Sequence, residues 1–301
     1  MTGTPSTSDP DLAAYLATID AARADRNAGL REPLSWLSVV GLHWLHAGSQ
    51  SFGADPGNEI VLRPVEGVMR PVAGTLQVAD GRVRLHPAGN GSLTVDGEAV
   101  REPVDLVDDA DGEPTTIAVA SLRFHLIRRG AGRLGLRVRD TAAPPLRAFD
   151  GVRCFDVDPA WRLVGRVLPA PAGTTIRVSD VVGDVTDDPT PGDVELVIDG
   201  TVHRLHALEA GADRLWLVFS DATNGAQTYG GGRFLVTGEV QADGTVEVDF
   251  NLAYNPPCVF SPYATCPLPP DGNRLPVRIV AGERASPGAT GGGRASRSGS
   301  R

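Results

Sequence analysis

Short runs of alternating apolar and polar residues fill most of the chain after Trp36. Turn-forming residues separate these runs roughly every 8–12 positions, the spacing expected for short strands in an all-β protein. We therefore expect a mainly β fold: an N-terminal helix, a β-sandwich-like domain, and a second, antiparallel β-barrel-like domain.

One helix is predicted ahead of the strands. Asp9-Pro10 places a good N-cap before a proline at the first helical position, and Gly29 is a plausible end. The apolar positions between them repeat at helical spacing: Leu12, Tyr15, Leu16 and Ile19. Arg23 and Arg26 continue the same stripe. Either they extend to water at the end of the helix, or they reach a carboxylate or a bound anion where the helix docks.

The hairpin over residues 122–140 has the clearest register. A three-residue loop, Gly130-Ala131-Gly132, brings its apolar positions opposite one another. The resulting pairs are Phe124 with Val138, Leu126 with Leu136, His125 with Arg137, and Arg123 with Arg139. Like charges directly opposite are unfavourable, so either solvent separates these arginines or an anion or a protein partner lies between them.

Changes in composition divide the chain into four predicted segments: a tail and amphipathic helix (1–30), the sandwich-like domain (31–141), the barrel-like domain with the candidate site (142–283), and a disordered tail (284–301). The linker between the two β domains is Ala142-Ala143-Pro144-Pro145. In the second domain, Asp199-Gly200 predicts a type I′ hairpin turn that sets Glu195 opposite Arg204.

Charge and hydropathy exclude several classes of partner. The net charge is −9 and the isoelectric point is about 5.1, which argues against nucleic acid and against anionic membranes as partners. The sequence has no apolar run long enough for a membrane span and no signal-peptide pattern. We therefore expect a cytoplasmic protein. Its three cysteines do not suggest a disulfide framework in a reducing compartment.

All 28 basic residues are arginine, since the chain contains no lysine. This excludes Schiff-base chemistry, pyridoxal phosphate held on lysine, and a Walker A phosphate loop. Fixed positive charge must come from guanidinium groups, which bind carboxylate or phosphate through two hydrogen bonds. No cofactor is expected.

The densest polar stretch runs from Asp221 to Asn273, in the predicted barrel-like domain. Its candidate ligand-binding residues are Thr228, Tyr229, Gly230, Gly231, Gly232, Arg233, Asn251, Tyr254, Asn255 and Asn273. Asp221 and Asp249 are the candidate catalytic bases. The candidate anion contacts elsewhere are all arginines: Arg23, Arg26, Arg137 and Arg139.

Strand alternation predicts which of these residues share a face. Asp249 and Asn251 alternate with the apolar positions of one strand: Val246, Val248, Phe250 and Leu252. The preceding strand carries Phe234 and Val236 on one side and Arg233 on the other. Pairing the two strands through an odd loop joins their apolar faces, so Arg233, Asp249 and Asn251 share the opposite face. That face is either a ligand site or a structural charge pair with an amide.

Glycine and proline flank this predicted face. Gly230-Gly231-Gly232 permits a close backbone approach and can present N–H groups to an anion. Asn255-Pro256-Pro257 and the prolines at 267, 269 and 270 stiffen the following loop, which can hold side chains at low entropic cost. The alternative role of this loop is to cover one end of a barrel.

The same segment resembles a bacterial and archaeal family of unknown function, numbered 1684. The resemblance runs from about Arg23 to Glu283 and is most specific over Thr228–Arg233, Asp249–Cys258 and Thr265–Leu275. It implies a β-rich fold and carries no established reaction. This chain has leucine at 252, where members often carry a basic residue.

The first β region resembles the opening of a forkhead-associated sandwich. The similarity lies in Ser51-Phe52-Gly53 and the run from Asn58 to Leu62. The phosphopeptide-recognition residues of that family are missing at the following loop, where Met69-Arg70-Pro71 stands. The resemblance therefore implies a similar fold without phosphothreonine binding.

The residue set allows several functions. Zinc is disfavoured because Cys258 and Cys266 lack Cys-x-x-Cys spacing, and because His203 and His206 would face opposite sides of a strand. The favoured function is binding of a small anionic or polar molecule in the second β domain. The alternatives are metal-independent hydrolysis of a phosphate- or carboxylate-bearing metabolite, and a protein-interaction module that uses the arginine face of the 122–140 hairpin.

Overall fold

The computed structural model describes residues 10–65, 69–89, 93–110 and 112–285. The chain forms two compact units. Among the described residues, the barrel unit contains the helix up to Ala28, Gly151–Val259, and the chain from Thr265 to Ala285. The sandwich unit contains Gly29–Asp150 and Phe260–Ala264. Most of the predicted C-terminal tail, from residue 286, lies outside the described residues.

The N-terminal helix is α1, Pro10–Arg31. Its predicted cap, Asp9, lies outside the described residues, and the helix continues two residues past Gly29. The remaining helical elements are short: α2 (Pro144–Ala148) and the 3₁₀ turns Trp36–Ser38, Pro159–Trp161, Phe250–Leu252 and Pro257–Val259. No helix among the described residues is long and apolar enough to cross a membrane. The cytoplasmic location stays a prediction.

Two sheets build the sandwich unit. In chain order its strands are β1 (Val39–Trp44), β2 (Gly48–Gly53), β3 (Ile60–Val61), β4 (Gly74–Ala79), β5 (Arg82–Pro87), β6 (Thr94–Val95), β7 (Glu98–Ala99), β8 (Val104–Leu106), β9 (Ile117–Val119), β10 (Leu122–Arg129) and β11 (Arg133–Asp140). One sheet has the order β1-β11-β10-β9-β6-β7, and the other has the order β3-β2-β4-β5-β8. Both contribute to one hydrophobic core, in which Phe52 and Phe124 meet edge to face with ring centroids 5.7 Å apart.

The β10–β11 hairpin confirms the predicted register. Arg129 pairs with Arg133, which leaves the three-residue loop 130–132 between the strands. All four predicted pairs are present: Phe124 with Val138, Leu126 with Leu136, His125 with Arg137, and Arg123 with Arg139. Alternation fixed this register because only the inner face of the hairpin is continuously apolar.

The barrel unit contains one large sheet and one small one. Its strands are β12 (Arg162–Pro169), β13 (Thr175–Ser179), β14 (Val185–Pro189), β15 (Gly192–Ile198), β16 (Thr201–Gly211), β17 (Arg214–Phe219), β18 (Arg233–Glu239) and β19 (Thr245–Asp249). The large sheet has the order β18-β17-β16-β15-β12-β19, and β13 pairs with β14. The edge strands β18 and β19 lie against each other, so the large sheet is a nearly closed barrel.

The turn between β15 and β16 is also as predicted. Asp199 and Gly200 both have positive φ, 50° and 74°, as a type I′ turn requires. Glu195 pairs with Arg204 across the two strands, and their side chains form an ion pair at 3.0 Å. Local turn chemistry therefore fixed the register of this hairpin.

The predicted pairing of β18 with β19 is wrong. β18 pairs with β17, and β19 pairs with β12, so the two strands are the edges of the sheet rather than a hydrogen-bonded hairpin. The inward residues also differ from the prediction: Leu235 lies in the barrel core, whereas Phe234 packs on the outside between Trp216 and Tyr254. Arg233 therefore faces inward and Asp249 outward, and they do not share a face.

Candidate functional site

Arg233 forms a buried ion pair with Asp221. Its Nη2 lies 2.7 Å from Asp221 Oδ2, and both side chains are fully buried. The guanidinium also lies 5.4 Å from the ring centroid of Phe219. Burial lowers the pKa of Arg233, and the neighbouring Asp221 carboxylate opposes that shift. The pair is an internal charge pair with no opening to a ligand.

The rest of the Arg233 guanidinium holds the C-terminal segment of the barrel unit. Nη2 donates to Ile279 O at 3.0 Å, and Nη1 donates to Ala281 O and, at 3.4 Å, to Glu283 O. Asp221 Oδ1 accepts the backbone N–H of Ile279 at 3.3 Å. The pair therefore positions the segment that ends at Glu283.

The turn between Asp221 and Arg233 is held by its own polar groups. The hydroxyls of Thr223 and Thr228 lie 2.9 Å apart and are fully buried, while Asn224 donates to the carbonyl of Tyr229. Burial raises the pKa of the Tyr229 phenol to about 12. Thr228 and Tyr229 therefore face protein, and their positions indicate a structural role.

Two of the three glycines in the run are packed rather than open. A Cβ on Gly232 would lie 2.6 Å from Pro269 Cγ, and one on Gly231 would lie 2.5 Å from the ring of Tyr229. Gly230 has only Gly225 nearby, at 3.8 Å. At 231 and 232, glycine therefore permits close packing against a proline and an aromatic ring.

Asp249 and Asn251 attach helix α1 to the barrel. Tyr15 donates its hydroxyl to Asp249 Oδ2 at 2.8 Å, and Asn251 Nδ2 donates to the same hydroxyl at 2.9 Å. Asn251 also exchanges hydrogen bonds with the backbone of Asp158. Burial raises the pKa of Tyr15, and the hydrogen bond to Asp249 adds to this shift. Both predicted site residues therefore have partners in the helix or the backbone.

Asn273 replaces strand hydrogen bonds. On this side of the sheet, the pairing of β16 with β17 ends at Leu208 and Trp216. Asn273 Oδ1 accepts His206 N at 2.7 Å, and Nδ2 donates to His206 O and Val218 O, both at 2.9 Å. The amide thus closes a gap between two strands.

Arg137 and Arg139 lie beside Trp36 in the sandwich unit. Their guanidinium carbons are 5.1 and 5.5 Å from the indole centroid, and Arg139 donates to the carbonyls of Leu34 and Ser35. Arg137 is only 4% exposed. Cation–π contact and backbone carbonyls thus accommodate these like charges, and a buried Arg137 does not fit an exposed interaction face.

Four predicted residues do meet around one cavity of about 230 Å³ in the barrel unit: Arg23, Arg26, Asn251 and Tyr254. We call it the helix cavity. Helix α1 forms one wall, and the segments at 152–154, 251–254 and 283 form the others. Most of its lining is apolar: Ala22, Val152, Leu252, Ala253 and the ring of Tyr254. Sequence reasoning placed two arginines on this face of the helix without identifying what they would face.

Arg26 is neutralised within the wall of the helix cavity. Its Nε lies 3.0 Å from Glu283 Oε1, and its Nη2 donates to Asn255 O at 3.0 Å. The other oxygen of Glu283 accepts the N–H of Asn255 at 2.7 Å. The guanidinium also lies 5.1 Å from the ring centroid of Tyr254, and burial raises the pKa of the Tyr254 phenol. The structure therefore supports the interpretation in which Arg26 reaches a carboxylate, that of Glu283.

Arg23 is the uncompensated cation of the helix cavity. A guanidinium has five N–H donors. Within the described residues, Arg23 makes one side-chain hydrogen bond, from Nη2 to Phe155 O at 2.9 Å. Its Nε is buried without a partner in the described part of the chain. Cys154 lies in the same wall, and burial raises the pKa of its thiol, so the thiol is neutral. The cavity therefore carries two cations, one carboxylate and an apolar lining.

Sequence reasoning missed three polar residues of this cavity: Asn27, Cys154 and Glu283. Asn27 Oδ1 accepts the N–H of Val152 at 2.9 Å and so ties the helix to the opposite wall. The only signal for Asn27 was its position one residue after Arg26 on the helix. Cys154 and Glu283 have no local pattern that distinguishes them.

The fold and the site define a two-unit, mainly β protein whose barrel unit bears a small, helix-covered cavity. Residues 147–284 match the model of a family described as "Protein of unknown function (DUF1684)". This match lies in the second half of the chain, whereas the predicted resemblance began at about Arg23. No curated protein matches the chain.

A solved structure is also similar to part of the chain. It is the solution NMR structure of an uncharacterised protein from Haloarcula marismortui, 34% identical, with a TM-score of 0.39. The similarity covers 47% of this chain and 80% of that one. The forkhead-associated resemblance of the first β region is not confirmed by these comparisons.

Proposed function

We propose that the barrel unit binds a small organic anion in the helix cavity, with Arg23 as the residue that recognises its charge. The observation that carries this proposal is the state of Arg23: a cation with one of its five N–H donors bonded within the described residues, beside a mostly apolar cavity. A guanidinium in such a place favours a ligand with carboxylate oxygens.

The cavity limits the size and character of this ligand. Its volume of about 230 Å³ is below the roughly 300–1,000 Å³ of common ligand pockets. The apolar lining favours a short hydrocarbon part, since burial of that part supplies free energy of binding. A short-chain monocarboxylate combines both features and would balance the excess positive charge of the wall.

Binding is favoured over hydrolysis because the two candidate bases are engaged elsewhere. Asp221 is buried in the ion pair with Arg233, and Asp249 accepts the Tyr15 hydroxyl and the Asn251 amide. Neither lines the helix cavity. General-base catalysis needs a base within hydrogen-bond reach of the ligand, and the carboxylate that does line the cavity, Glu283, is bonded to Arg26 and to the N–H of Asn255.

Isothermal titration with hexanoate at low ionic strength tests the proposal. Hexanoate should bind, while hexanamide, which has the same shape without the charge, should bind at least about tenfold more weakly because a charge-assisted hydrogen bond is lost. In Arg23→Gln the preference for hexanoate should disappear. Circular dichroism would establish that this variant is folded.

Arg153→Gln is the matched control, because it removes the same charge from an exposed position next to Cys154 that does not line the cavity. It should bind hexanoate as the wild type does. Equal affinity for acid and amide, or unchanged hexanoate binding in Arg23→Gln, would overturn the proposal.

A further inference from the structure

A second cavity in the barrel unit, of about 430 Å³, shares no residue with the helix cavity. It lies among strand β13, strand β16 and the loop from Pro269 to Arg274. We call it the His206 pocket. Its polar lining residues are Thr175, Arg177, Ser179, His206, Asp271 and Arg274. Its volume falls in the range of common small-molecule sites.

His206 is held in a defined orientation at this pocket. Its Nδ1 lies 2.7 Å from Asp193 Oδ1, its cross-strand partner on β15. Nε2 has no hydrogen-bond partner among the described residues. A carboxylate on Nδ1 fixes the ring and leaves Nε2 for another group, the arrangement found in histidines that bind or exchange protons with a ligand.

The backbone around His206 is fixed as well. Asn273 bonds both the N–H and the carbonyl of His206, so the residue is clamped where β16 and β17 separate. The backbone of Gly272 lies close to the His206 ring, since a Cβ at this position would lie 3.1 Å from Nε2. The φ of Gly272, 99°, also favours glycine. This part of the dense polar segment thus builds the His206 pocket rather than the Arg233 face.

Two arginines face the same pocket. Neither Arg177 nor Arg274 makes a side-chain hydrogen bond or an ion pair with any described residue. The carboxylates nearby are Asp271 in the lining, Asp193 on His206, and Asp187, which is opposite Arg177 on β14. Apart from His206, the charged lining residues are two cations and one carboxylate, in a chain of net charge −9.

The wall between these groups is stiff. Pro269 and Pro270 line the pocket directly before Asp271, and proline limits the freedom of the loop that carries Arg274. The guanidinium of Arg177 comes from a separate two-stranded sheet. Donors from three different elements therefore line one space that is open to solvent. A tetrahedral group offers these donors more oxygens than a carboxylate does.

We infer that the His206 pocket binds the phosphate group of a small metabolite, with Arg177, Arg274 and His206 as its ligands. Guanidinium groups bind phosphate oxygens through two hydrogen bonds each. The hydroxyls of Thr175 and Ser179 lie in the same lining and supply further donors. This inference is independent of the proposed carboxylate site, because the two cavities have no residue in common.

Titration at low ionic strength tests this inference with two probes, inorganic phosphate and glycerol 3-phosphate. At least one of them should bind the full-length protein in the millimolar range or tighter. Tighter binding of glycerol 3-phosphate than of inorganic phosphate would identify a phosphorylated metabolite as the ligand class. Equal affinities would show that the phosphate group alone is sufficient for binding. The affinity for the probe that binds should fall at least about tenfold in each of three variants: Arg177→Gln, Arg274→Gln and His206→Gln.

Two control variants separate a built site from general charge attraction. Arg153→Gln removes an exposed charge elsewhere in the unit, and Arg23→Gln removes one of the two cations of the helix cavity. Both should bind the phosphate probe as the wild type does, and Arg177→Gln should keep its hexanoate binding. The inference would be overturned if neither probe bound at about 10 mM, a concentration that would reveal even a weak site. Equal weakening by Arg153→Gln and Arg177→Gln would do the same.

Discussion

The guanidinium of Arg233 and the carboxylate of Asp221 lie 2.7 Å apart with both side chains fully buried. Replacing Arg233 with methionine leaves a buried carboxylate without its cation. Such a change costs roughly 3–5 kcal/mol of the free energy of unfolding. Urea denaturation of Arg233→Met, followed by circular dichroism, measures this loss.

An exposed ion pair in the same unit provides the comparison. Arg214 and Glu239 lie 3.5 Å apart, and their side chains are 49% and 61% exposed. Arg214→Met should therefore change the free energy of unfolding by less than about 1 kcal/mol. If both arginine variants lose the same small amount, the structural role assigned to Arg233 is wrong.

Alanine substitutions at Gly232 and Gly183 separate the stability cost of close packing from the cost of backbone conformation. Both have positive φ, 96° and 91°, so alanine is similarly strained at either position. At Gly232 the new Cβ would also lie 2.7 Å from Phe219 O and 2.6 Å from Pro269 Cγ, whereas Gly183 has no atom within 4 Å. Gly232→Ala should cost about 1–3 kcal/mol more than Gly183→Ala. Thermal unfolding of the two variants gives the difference, and equal costs would contradict the close packing.

Tyr15→Phe tests how helix α1 is attached. The variant removes the hydroxyl that lies between Asp249 and Asn251 and keeps the ring. We expect a loss of about 1 kcal/mol and faster amide hydrogen exchange in the helix. Exchange unchanged from the wild type would show that the hydroxyl does not hold the helix.

The same tyrosine predicts a dependence on alkaline pH. The pKa of Tyr15 is raised by burial and by Asp249, so the folded state keeps a proton that the unfolded state releases near pH 10. This contribution to stability is complete below pH 10 and is lost as the pH rises further. Unfolding midpoints measured from about pH 8 to 11 should fall more steeply for the wild type than for Tyr15→Phe.

His125 predicts a dependence on acidic pH in the sandwich unit. Burial lowers its pKa to about 4, and the charges of Arg139 and Arg137 act in the same direction. The unfolded state binds a proton near pH 6.5, so stability is complete above that pH and decreases as the pH falls toward about 4. An NMR titration of the His125 ring measures the pKa directly. His125→Asn should flatten the decrease, and a ring that titrates near 6.5 would contradict the burial.

The parts of the fold that the sequence predicted correctly depend on residues that lie close together in the chain. The turn at Asp199-Gly200 needs positive φ at both positions, which asparagine, aspartate and glycine tolerate best. The 122–140 hairpin has one clearly apolar face, so only one register buries it. In both cases the information lies within twenty residues or so of the feature.

The β18–β19 error has a physical cause. Phe234 and Leu235 are both buried, at 4% and 0% exposure, because the outer face of β18 is covered as well as the inner one. Alternation then gives no sign of which face points into the barrel. The neighbour of β19 is β12, which precedes it by about eighty residues, and no local pattern specifies that pairing.

The candidate site was predictable only in part. The helical stripe placed Arg23 and Arg26 on one face, and the structure shows that this face lines a cavity. Glu283 lies 257 positions from Arg26 in sequence, so their ion pair has no local signal. The most conspicuous polar residue, Arg233, is part of the core, because a buried charge pair and a ligand site have the same residue types.

The proposed carboxylate site is tested most directly by mass spectrometry of the small molecules retained by the purified, full-length protein. Wild type and Arg153→Gln should both retain a small organic acid, and Arg23→Gln should not. An acid retained equally by all three proteins, or none retained by the wild type, would contradict binding at the helix cavity.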